Sequence, residues 1–268
     1  MPYLRVKKLR KYMGVQDDLA VVAAGRALES AGLADVFLGE RAGLYLVVGH
    51  LPFERDDLAP LVTASEDQGR FSPTCFSTAG VRAVNGLLTF RCLPNMPAFH
   101  ISTSFDLQGP YFVTYPGPGQ FYLALEEACA ALADGDIDVA LVGGVAHQRN
   151  FLVEHHFSRL DRPVPPERLA DAAGCLVLET ANHAQRRQAP VRGRLLRWEA
   201  AYHRHDPFAG GPVPEERLEG TTGDPDRELG AASLPTRLSL AAGQGRRVLR
   251  HSLTSRDGIS ASSVWELA

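Results

Sequence analysis

The apolar positions of the chain follow two periods, and together they predict strands that alternate with helices. Fully apolar runs over Gly43–Gly49 and Gly174–Leu178 have strand length and predict strands that are covered on both faces. Residues Val15–Gly32 repeat their apolar side chains at helical spacing, and Gly32 is a typical helix end. This alternation predicts an α/β protein with a mostly parallel or mixed sheet.

The centre of the chain has the pattern of a strand, a tight elbow, a helix and a second strand. Residues Tyr111–Tyr115 form a short apolar strand, Pro116–Gly119 the elbow, and Val139–Val142 a buried strand, with Gly135 as the end of the helix between them. Units of this kind often carry a nucleophile at the elbow. Here the chain from Tyr115 to Tyr122 contains no Cys, Ser or Thr.

The second half of the chain is less regular. Phe151–Pro166 contains three prolines and is predicted to be a loop, and His203–Asp226 is predicted to be a long loop or linker because it is rich in Gly, Pro and acids. Val191–Trp198 alternates like a strand near a sheet edge. A small-residue helix over Gly230–Ala242 and a hairpin around the turn Arg256–Gly258 are predicted to close the chain.

Composition excludes several classes of protein. The chain has 268 residues, 45% of them apolar, and can therefore bury a substantial core. A formal charge of −3 gives no general attraction for nucleic acid or for an anionic membrane. No apolar run has the length of a membrane span, and the four cysteines form no CxxC pair, so we expect a soluble, cytoplasmic protein with buried free thiols.

Several motifs of catalysis and of metal binding are absent. The sequence has no GxSxG, P-loop or HExxH motif, and Gly117–Gly119 lacks the spacing of a dinucleotide fingerprint. Neighbouring His155 and His156 rarely reach the same ion, so we expect a structural role for them rather than a metal site. We predict no cofactor and no metal.

A basic run lies immediately before the first helix, and it has two interpretations. The first is a solvated surface, which is usual for short charge runs. The second is a docking site for an acidic carrier protein or for phosphate. The residues concerned are Arg5, Lys7, Lys8, Arg10 and Lys11.

The stretch from His100 to Val145 resembles the central part of the β-ketoacyl synthases, the condensing enzymes of the thiolase superfamily. It has their Gly-Pro, strand, elbow, helix, Gly-Asp and Gly-Gly in order, and Asn95-Met96 and Leu169–Glu179 resemble the flanking segments. The resemblance extends over about Lys7 to Arg197. It implies a thiolase-like layered α/β/α fold that is truncated and has a mixed sheet.

The resemblance also implies a division of the chain into three parts. Residues 1–202 would be the synthase N-terminal-like domain, residues 203–226 a loop or linker, and residues 227–268 a remnant of the second thiolase half that packs on the same domain.

The resemblance places a proline at the site of the family's nucleophilic cysteine. That cysteine lies eight residues after the Pro of Gly-Pro and seventeen before the Gly that ends the helix, and counting from Pro110 and from Gly135 gives Pro118 both times. It implies that Gly117, Pro118, Gly119 and Gln120 form a vestigial elbow. It further places Arg227 at a catalytic histidine position and Arg256 at the gating phenylalanine, so we expect no catalysis by the chain on its own.

We therefore expect a protein similar to the chain-length factors, the inactive partners of catalytic ketosynthases in type II pathways. The resemblance implies a heterodimer with a β-ketoacyl-ACP synthase, an acyl carrier protein as a further partner, and a polyketide, aryl-polyene or fatty acid product. Candidates for tunnel wall or interface are Phe99, Phe105, Tyr111, Phe112, Tyr115 and Phe121, with core packing as the alternative for each.

Two other functions remain open from the sequence. One is a repurposed acyltransferase or hydrolase that uses a different nucleophile, with Cys75 or Ser102 as the candidates. The other is a self-standing structural homodimer.

Overall fold

A computed structural model describes residues 2–203, 215–219, 227–242, 245 and 247–268. The strands are β1 (Ala42–Val48), β2 (Glu66–Asp67), β3 (Arg70–Phe71), β4 (Tyr111–Thr114), β5 (Val139–Ala146), β6 (Ala172–Leu178), β7 (Gly193–Tyr202), β8 (Glu215–Glu219), β9 (Arg247–Thr254) and β10 (Ile259–Leu267). The α-helices are α1 (Val15–Ser30), α2 (Arg55–Ala64), α3 (Pro73–Cys75), α4 (Val81–Ala83), α5 (Leu88–Cys92), α6 (Met96–Phe105), α7 (Gln120–Ala133), α8 (Phe151–Ser158), α9 (Ala181–Arg186) and α10 (Ser233–Ala241). Short 3₁₀ turns cover Lys7–Tyr12, Pro166–Arg168 and Gly230–Ala232, and a π turn covers Phe76–Gly80.

The first sheet has the strand order β4-β1-β5-β6 and is mixed. Strand β1 pairs in parallel with both β4 and β5, whereas β6 runs antiparallel to β5. Every residue of β1 and β5 is buried, as expected for strands that are covered on both faces. The predicted strands and the mixed sheet are therefore confirmed.

The second sheet is antiparallel, in the order β7-β10-β9-β8. Buried residues alternate with half-buried or exposed ones along β9 and β10, so one face packs on the core and the other is partly open to water. The hairpin predicted around Arg256–Gly258 joins β9 to β10, and β7 lies at the predicted edge.

Helices and sheets stack in layers. Helices α1 and α6 cover one face of the first sheet, with Val21, Leu28 and Ile101 in a cluster that includes Leu44 of β1. Helices α7 and α10 lie between the two sheets, in a second cluster that joins β1 to β9 and β10. This arrangement confirms the layered α/β architecture.

The segment from Gly230 to α10 packs closely against two glycines of the first sheet. A Cβ atom added to Gly144 of β5 would be 2.1 Å from the carbonyl oxygen of Ala231. A Cβ atom added to Gly174 of β6 would be 2.4 Å from the carbonyl carbon of Pro235. Only glycine allows this close approach of one backbone to another.

Two predicted loops are wrong in part. Phe151–Pro166 begins with helix α8, whose first turn is capped by Asn150, because the Asn150 side-chain oxygen accepts a hydrogen bond from the Leu152 N–H at 3.1 Å. The prolines follow the helix rather than interrupt it. Within His203–Asp226, residues Glu215–Glu219 form strand β8 at the edge of the second sheet, and residues 204–214 and 220–226 lie outside the described residues.

Candidate functional site

The parallel strands β1, β4 and β5 end at the same edge of the first sheet, where ligands bind in many α/β proteins. His50 follows β1, the elbow Pro116–Gly119 follows β4, and His147 follows β5. The elbow enters α7 directly, and the Tyr115–Pro116 peptide bond is cis. Pro118 contributes a pyrrolidine ring, which has no nucleophilic atom.

The turn of the β9–β10 hairpin, Ser255–Ile259, packs against this elbow. A Cβ atom added to Gly119 would lie 2.5 Å from Ser255 Oγ and 3.1 Å from Ile259 Cβ. The Ser255 side chain is buried, and its backbone N–H donates to the Ile259 carbonyl at 2.8 Å. The elbow is therefore closed by the turn at Gly119.

Four polar side chains fix the turn to the elbow. The Thr114 hydroxyl donates to Gln120 Oε1 at 2.5 Å, and the Gln120 amide donates to the Asp257 carboxylate. Asp257 in turn accepts a hydrogen bond from the Ser255 hydroxyl. We call this chain of hydrogen bonds, Thr114–Gln120–Asp257–Ser255, the elbow network. The sequence predicted the hairpin turn, but it did not indicate that this turn contacts Gln120.

His147 lies between two carboxylates. Its Nδ1 is 2.9 Å from Asp171 Oδ1 and its Nε2 is 3.2 Å from Glu54 Oε1. Burial lowers the pKa of His147, but the hydrogen bonds and negative charges of Asp171 and Glu54 outweigh burial and raise it above its ordinary value. The pKa of Asp171 is correspondingly lowered, because its hydrogen bonds with His147 and the Arg149 N–H outweigh burial. Sequence patterns left His147 without an assignment.

A pair of imidazoles, His50 and His156, lies beside the same edge of the sheet. The rings of His50 and His156 are 4.6 Å apart, measured between centroids. Burial, together with the positive charge of His156, lowers the pKa of His50 to about 4, and burial and Arg256 lower the pKa of His156. Among the described residues, no group of three or more His, Cys, Asp or Glu side chains could hold a metal ion.

A further histidine is buried between α7 and the second sheet. His251 Nδ1 is 2.7 Å from the Tyr122 hydroxyl, and its Nε2 is 2.8 Å from Glu216 Oε1. The Ser233 hydroxyl also donates to Glu216 at 2.6 Å. Burial raises the pKa of Glu216, but these hydrogen bonds outweigh it and hold the pKa below its ordinary value. The network attaches β8 to the core.

The aromatic residues predicted for a tunnel or interface differ in exposure. Tyr111 is 70% exposed, Tyr115 54% and Phe99 45%, whereas Phe121 is fully buried within the core cluster. Phe105 and Phe112 are half-buried. Strand β4, which carries Tyr111 and Phe112, is an edge strand, and its outer side pairs with no strand in the part of the chain that the structure describes.

The predicted arginines have local partners. Arg5 pairs with Asp106, and Arg10 pairs with Asp18. Arg227 is exposed and lies three residues before Gly230, and its carbonyl accepts a hydrogen bond from Arg237 Nη2 at 3.1 Å.

The two alternative nucleophiles lie on helices outside the elbow. Cys75 lies on the short helix α3 and Ser102 on α6, and both are partly exposed. Within the described residues, no imidazole forms a hydrogen bond with either side chain.

Comparison with known proteins identifies the family. Residues 4–167 match the model of the β-ketoacyl synthase N-terminal domain. The chain belongs to the β-ketoacyl synthase family. A highly reducing polyketide synthase, dmxL2 of Cryptosporiopsis sp. (strain 8999), is 31% identical over 133 residues, which are 49% of this chain and 5% of that protein. The chain thus spans a small part of that curated relative.

Solved structures share the fold of this β-ketoacyl synthase relative. One is a chain of AntDE:AntF, a type II polyketide synthase acyl-carrier protein in complex with its ketosynthase bound to the hexaketide. The match covers 100% of this chain and 87% of that chain, with a TM-score of 0.73 and 13% identity. A β-ketoacyl synthase from Burkholderia phymatum STM815 matches 74% of this chain and 50% of its own, with a TM-score of 0.56 and 20% identity. The ishigamide ketosynthase/chain length factor matches 72% of this chain and 48% of its own, with a TM-score of 0.52 and 20% identity. At these identities the similarity establishes the fold alone.

In the described part of the chain, no helix has the length and apolar character needed to cross a membrane.

Proposed function

We propose that this chain is a non-catalytic, chain-length-factor-like subunit that pairs with a catalytic β-ketoacyl-ACP synthase and shapes its acyl tunnel. The pathway would be of type II and would make a polyketide, aryl-polyene or fatty acyl chain. The observation that carries the proposal is the elbow, where Pro118 stands at the nucleophile position implied by the resemblance and the hairpin turn packs on Gly119.

Condensation by this family's chemistry needs a thiolate that forms an acyl thioester, and a base or hydrogen-bond donor beside it. The elbow offers no such group. Two of the histidines are already engaged, since His147 is held by Asp171 and Glu54, and His251 by Tyr122 and Glu216. These contacts support a structural role for His147 and His251.

The exposed edge of the first sheet supports the proposal that a partner protein binds there. An exposed edge strand presents unpaired backbone groups that attract another chain, and natural proteins usually cover such edges. Tyr111 on β4 and Tyr115 just after it add exposed aromatic surface, and Phe99 adds more on α6. A ketosynthase/chain length factor and a ketosynthase with its acyl-carrier protein are among the solved structures with this fold, which agrees with a synthase as the partner.

The test is co-purification with the ketosynthase encoded beside this chain, followed by measurement of mass by light scattering. We expect a 1:1 heterodimer, and we expect Tyr111→Lys to dissociate it because the substitution places a charge on the edge strand. Tyr202→Lys is the matched control, since Tyr202 is also 70% exposed but lies on β7 of the second sheet. A stable monomer that does not bind the synthase, or a homodimer that persists on dilution, would overturn the proposal.

A further inference from the structure

Two imidazoles from separate segments are in contact at the edge of the first sheet where the parallel strands end. His50 follows β1 and His156 lies on α8, and the centres of their rings are 4.6 Å apart, with the ring planes inclined by 46°. Sequence spacing argues against an ion shared by the neighbours His155 and His156. The fold instead places His156 beside His50, and this pair has no part in the proposed function.

The ring nitrogens of this pair are not engaged by other polar groups. In the part of the chain that the structure describes, no hydrogen bond or ion pair involves a ring nitrogen of His50 or His156. Besides each other, the two rings contact the ring of Phe157, at 6.1 Å from His50 and 5.4 Å from His156 between centroids. His147 and His251 differ, because both ring nitrogens of each are close to a polar partner.

Both imidazoles are in the protonation state that binds metal ions. An imidazole is a ligand only in its neutral form, so a protonated ring must first release its proton. Burial and the charge of His156 lower the pKa of His50 to about 4, and burial and the charge of Arg256 lower the pKa of His156. Both rings are therefore neutral at pH 7.

The separation of the two rings fits a shared ion. Zinc binds an imidazole nitrogen at about 2.0–2.1 Å, and two imidazoles on one tetrahedral zinc ion then have their ring centres about 5 Å apart. The observed separation of 4.6 Å is close to that value. His50 is half-buried and His156 is exposed, so an ion can enter from solvent and water can complete its coordination.

The two histidines lie on backbone segments that are held to different degrees. The Gly49 N–H donates to the Val145 carbonyl at 2.7 Å, and the His50 carbonyl accepts from the Gln16 amide at 3.1 Å, so the end of β1 is fixed. Helix α8, by contrast, has one buried residue, Val153. An ion bound by both imidazoles would therefore add an attachment to a helix that buries little of its surface.

We propose that His50 and His156 together bind one zinc ion, which has water at its remaining positions and fastens α8 to the end of β1. This differs from the expectation of no metal, because the sequence does not show that the two residues meet. Imidazole is a ligand for zinc, copper and nickel, whereas calcium and magnesium prefer oxygen ligands. The pair offers fewer ligands than the three or four of most zinc proteins, and the positive charge of Arg256 opposes a cation beside His156. The ion is therefore expected to exchange with solution.

Zinc binding is measured by titration calorimetry on the untagged full chain, in a parent in which His203 and His205 are both replaced by Gln. These two histidines are one residue apart in the sequence and would otherwise compete for the ion. We expect His50→Gln and His156→Gln each to weaken zinc binding at least about tenfold, because losing even a group that only orients a metal ligand costs about 10- to 100-fold. His155→Gln is the matched control and should bind zinc like the parent.

Copper serves as a spectroscopic probe of the ligands. Cu²⁺ binds nitrogen donors more tightly than zinc does, and its electron paramagnetic resonance spectrum reports the number of coordinated nitrogen atoms. We expect two imidazole nitrogens in the parent and in His155→Gln, and one in His156→Gln. Because His156 is exposed, this substitution should leave the fold intact, which circular dichroism checks.

Amide hydrogen exchange tests whether the ion fastens α8. Zinc should slow exchange in α8 and leave exchange in α1 unchanged, because a ligand that binds the folded state opposes local opening at its site. This protection should be lost in His50→Gln. Arg256→Gln should strengthen zinc binding, since it removes the positive charge beside His156, and weaker binding in this variant would contradict an ion at this place.

The outcomes distinguish a shared ion from two rings that only pack together. Equal zinc affinity in His156→Gln and in the parent would overturn the inference, and so would the absence of binding at a large molar excess of zinc. Zinc-dependent protection of α8 that persists in His50→Gln would also overturn it, because the ion would then lie elsewhere. These results are independent of whether the chain pairs with a synthase.

Discussion

The side-chain amide of Gln120 donates a hydrogen bond to the carboxylate of Asp257, although the two residues are 137 positions apart in the sequence. The bond joins the first residue of α7 to the turn between β9 and β10. Because Gln120 also accepts from Thr114 and Asp257 from Ser255, the end of β4 and the hairpin turn are held by one network. The elbow and the second sheet are thereby fixed to each other.

Removing the Asp257 carboxylate should release this turn. We expect Asp257→Ala to lower the free energy of unfolding by about 1–2 kcal/mol, because two hydrogen bonds are lost and the Gln120 amide loses its acceptor. Amide hydrogen exchange at Gly258 and Ile259 should rise, while exchange in α1 should not change. Asp161→Ala is the control, since Asp161 is exposed. Unchanged exchange in the turn would show that the elbow network does not hold it.

The two glycines of the elbow should respond differently to alanine. At Gly119 a Cβ atom would lie 2.5 Å from Ser255 Oγ and 3.1 Å from Ile259 Cβ, and the Ile259 atom belongs to a buried strand that cannot shift easily. We expect Gly119→Ala to lower the free energy of unfolding in urea by about 1–3 kcal/mol. At Gly117 the nearest atom would be Asp257 Oδ2 at 3.6 Å, which is an ordinary contact.

Gly117→Ala is therefore the matched control, with an expected change within about 0.5 kcal/mol. A Ser255→Ala background should relieve the Gly119→Ala cost only in part, because Ile259 stays in place. Equal costs at the two glycines would contradict the close packing of the turn on Gly119.

The elements that could be predicted from the sequence are those whose burial leaves a pattern. β1 and β6 are covered on both faces, and their apolar runs at Gly43–Gly49 and Gly174–Leu178 predict strands of that kind. β8 could not be predicted in the same way, because it is an edge strand with four charged residues, and Leu218 is its one apolar residue packed against the core. Helix α8 was missed because Val153 is its one buried residue.

The candidate site was predictable only in its local part. The elbow follows from the local pattern of the chain, and the place of Pro118 in it is implied by the resemblance to the β-ketoacyl synthases. The contacts of Gln120 with Asp257, and of His147 with Asp171 and Glu54, join polar residues from distant segments. Such pairs leave no periodic signal, because each needs only one side chain from each segment.

The ion pairs of His147 predict a pH-dependent contribution to stability. The pKa of His147 is raised in the folded state, so its contribution is fully present below the unfolded value of about 6.5 and is lost as the pH rises through the folded value. We expect His147→Gln to lower the free energy of unfolding by about 2 kcal/mol at pH 6 and by less at pH 9, measured by urea denaturation.

The pKa of Asp171 sets the lower limit of this window. It is lowered in the folded state, so the carboxylate contributes above its unfolded value of about 3.9, and the contribution is lost as the pH falls through the folded value. His155→Gln on exposed α8 is the control and should have the same small effect at both pH values. A cost of His147→Gln that grows with pH would contradict the raised pKa.

Restoring a thiol at the elbow should not restore acylation. In Pro118→Cys, the new side chain would stand beside an elbow that the hairpin turn covers at Gly119, and the imidazoles of His147 and His251 would remain bound to their carboxylates. A thiol without a neighbouring base is largely protonated at neutral pH and reacts slowly. We therefore expect no acyl adduct by intact mass spectrometry after incubation with an acyl thioester.

The parent chain is the control for its four native thiols, and Pro118→Ala tests whether the elbow folds without proline. The double variant Pro118→Cys, Asp257→Ala separates the two causes, since acylation only after release of the turn would assign the inactivity to the covered elbow. An adduct on the single variant that iodoacetamide prevents would show that one residue alone keeps this elbow inactive.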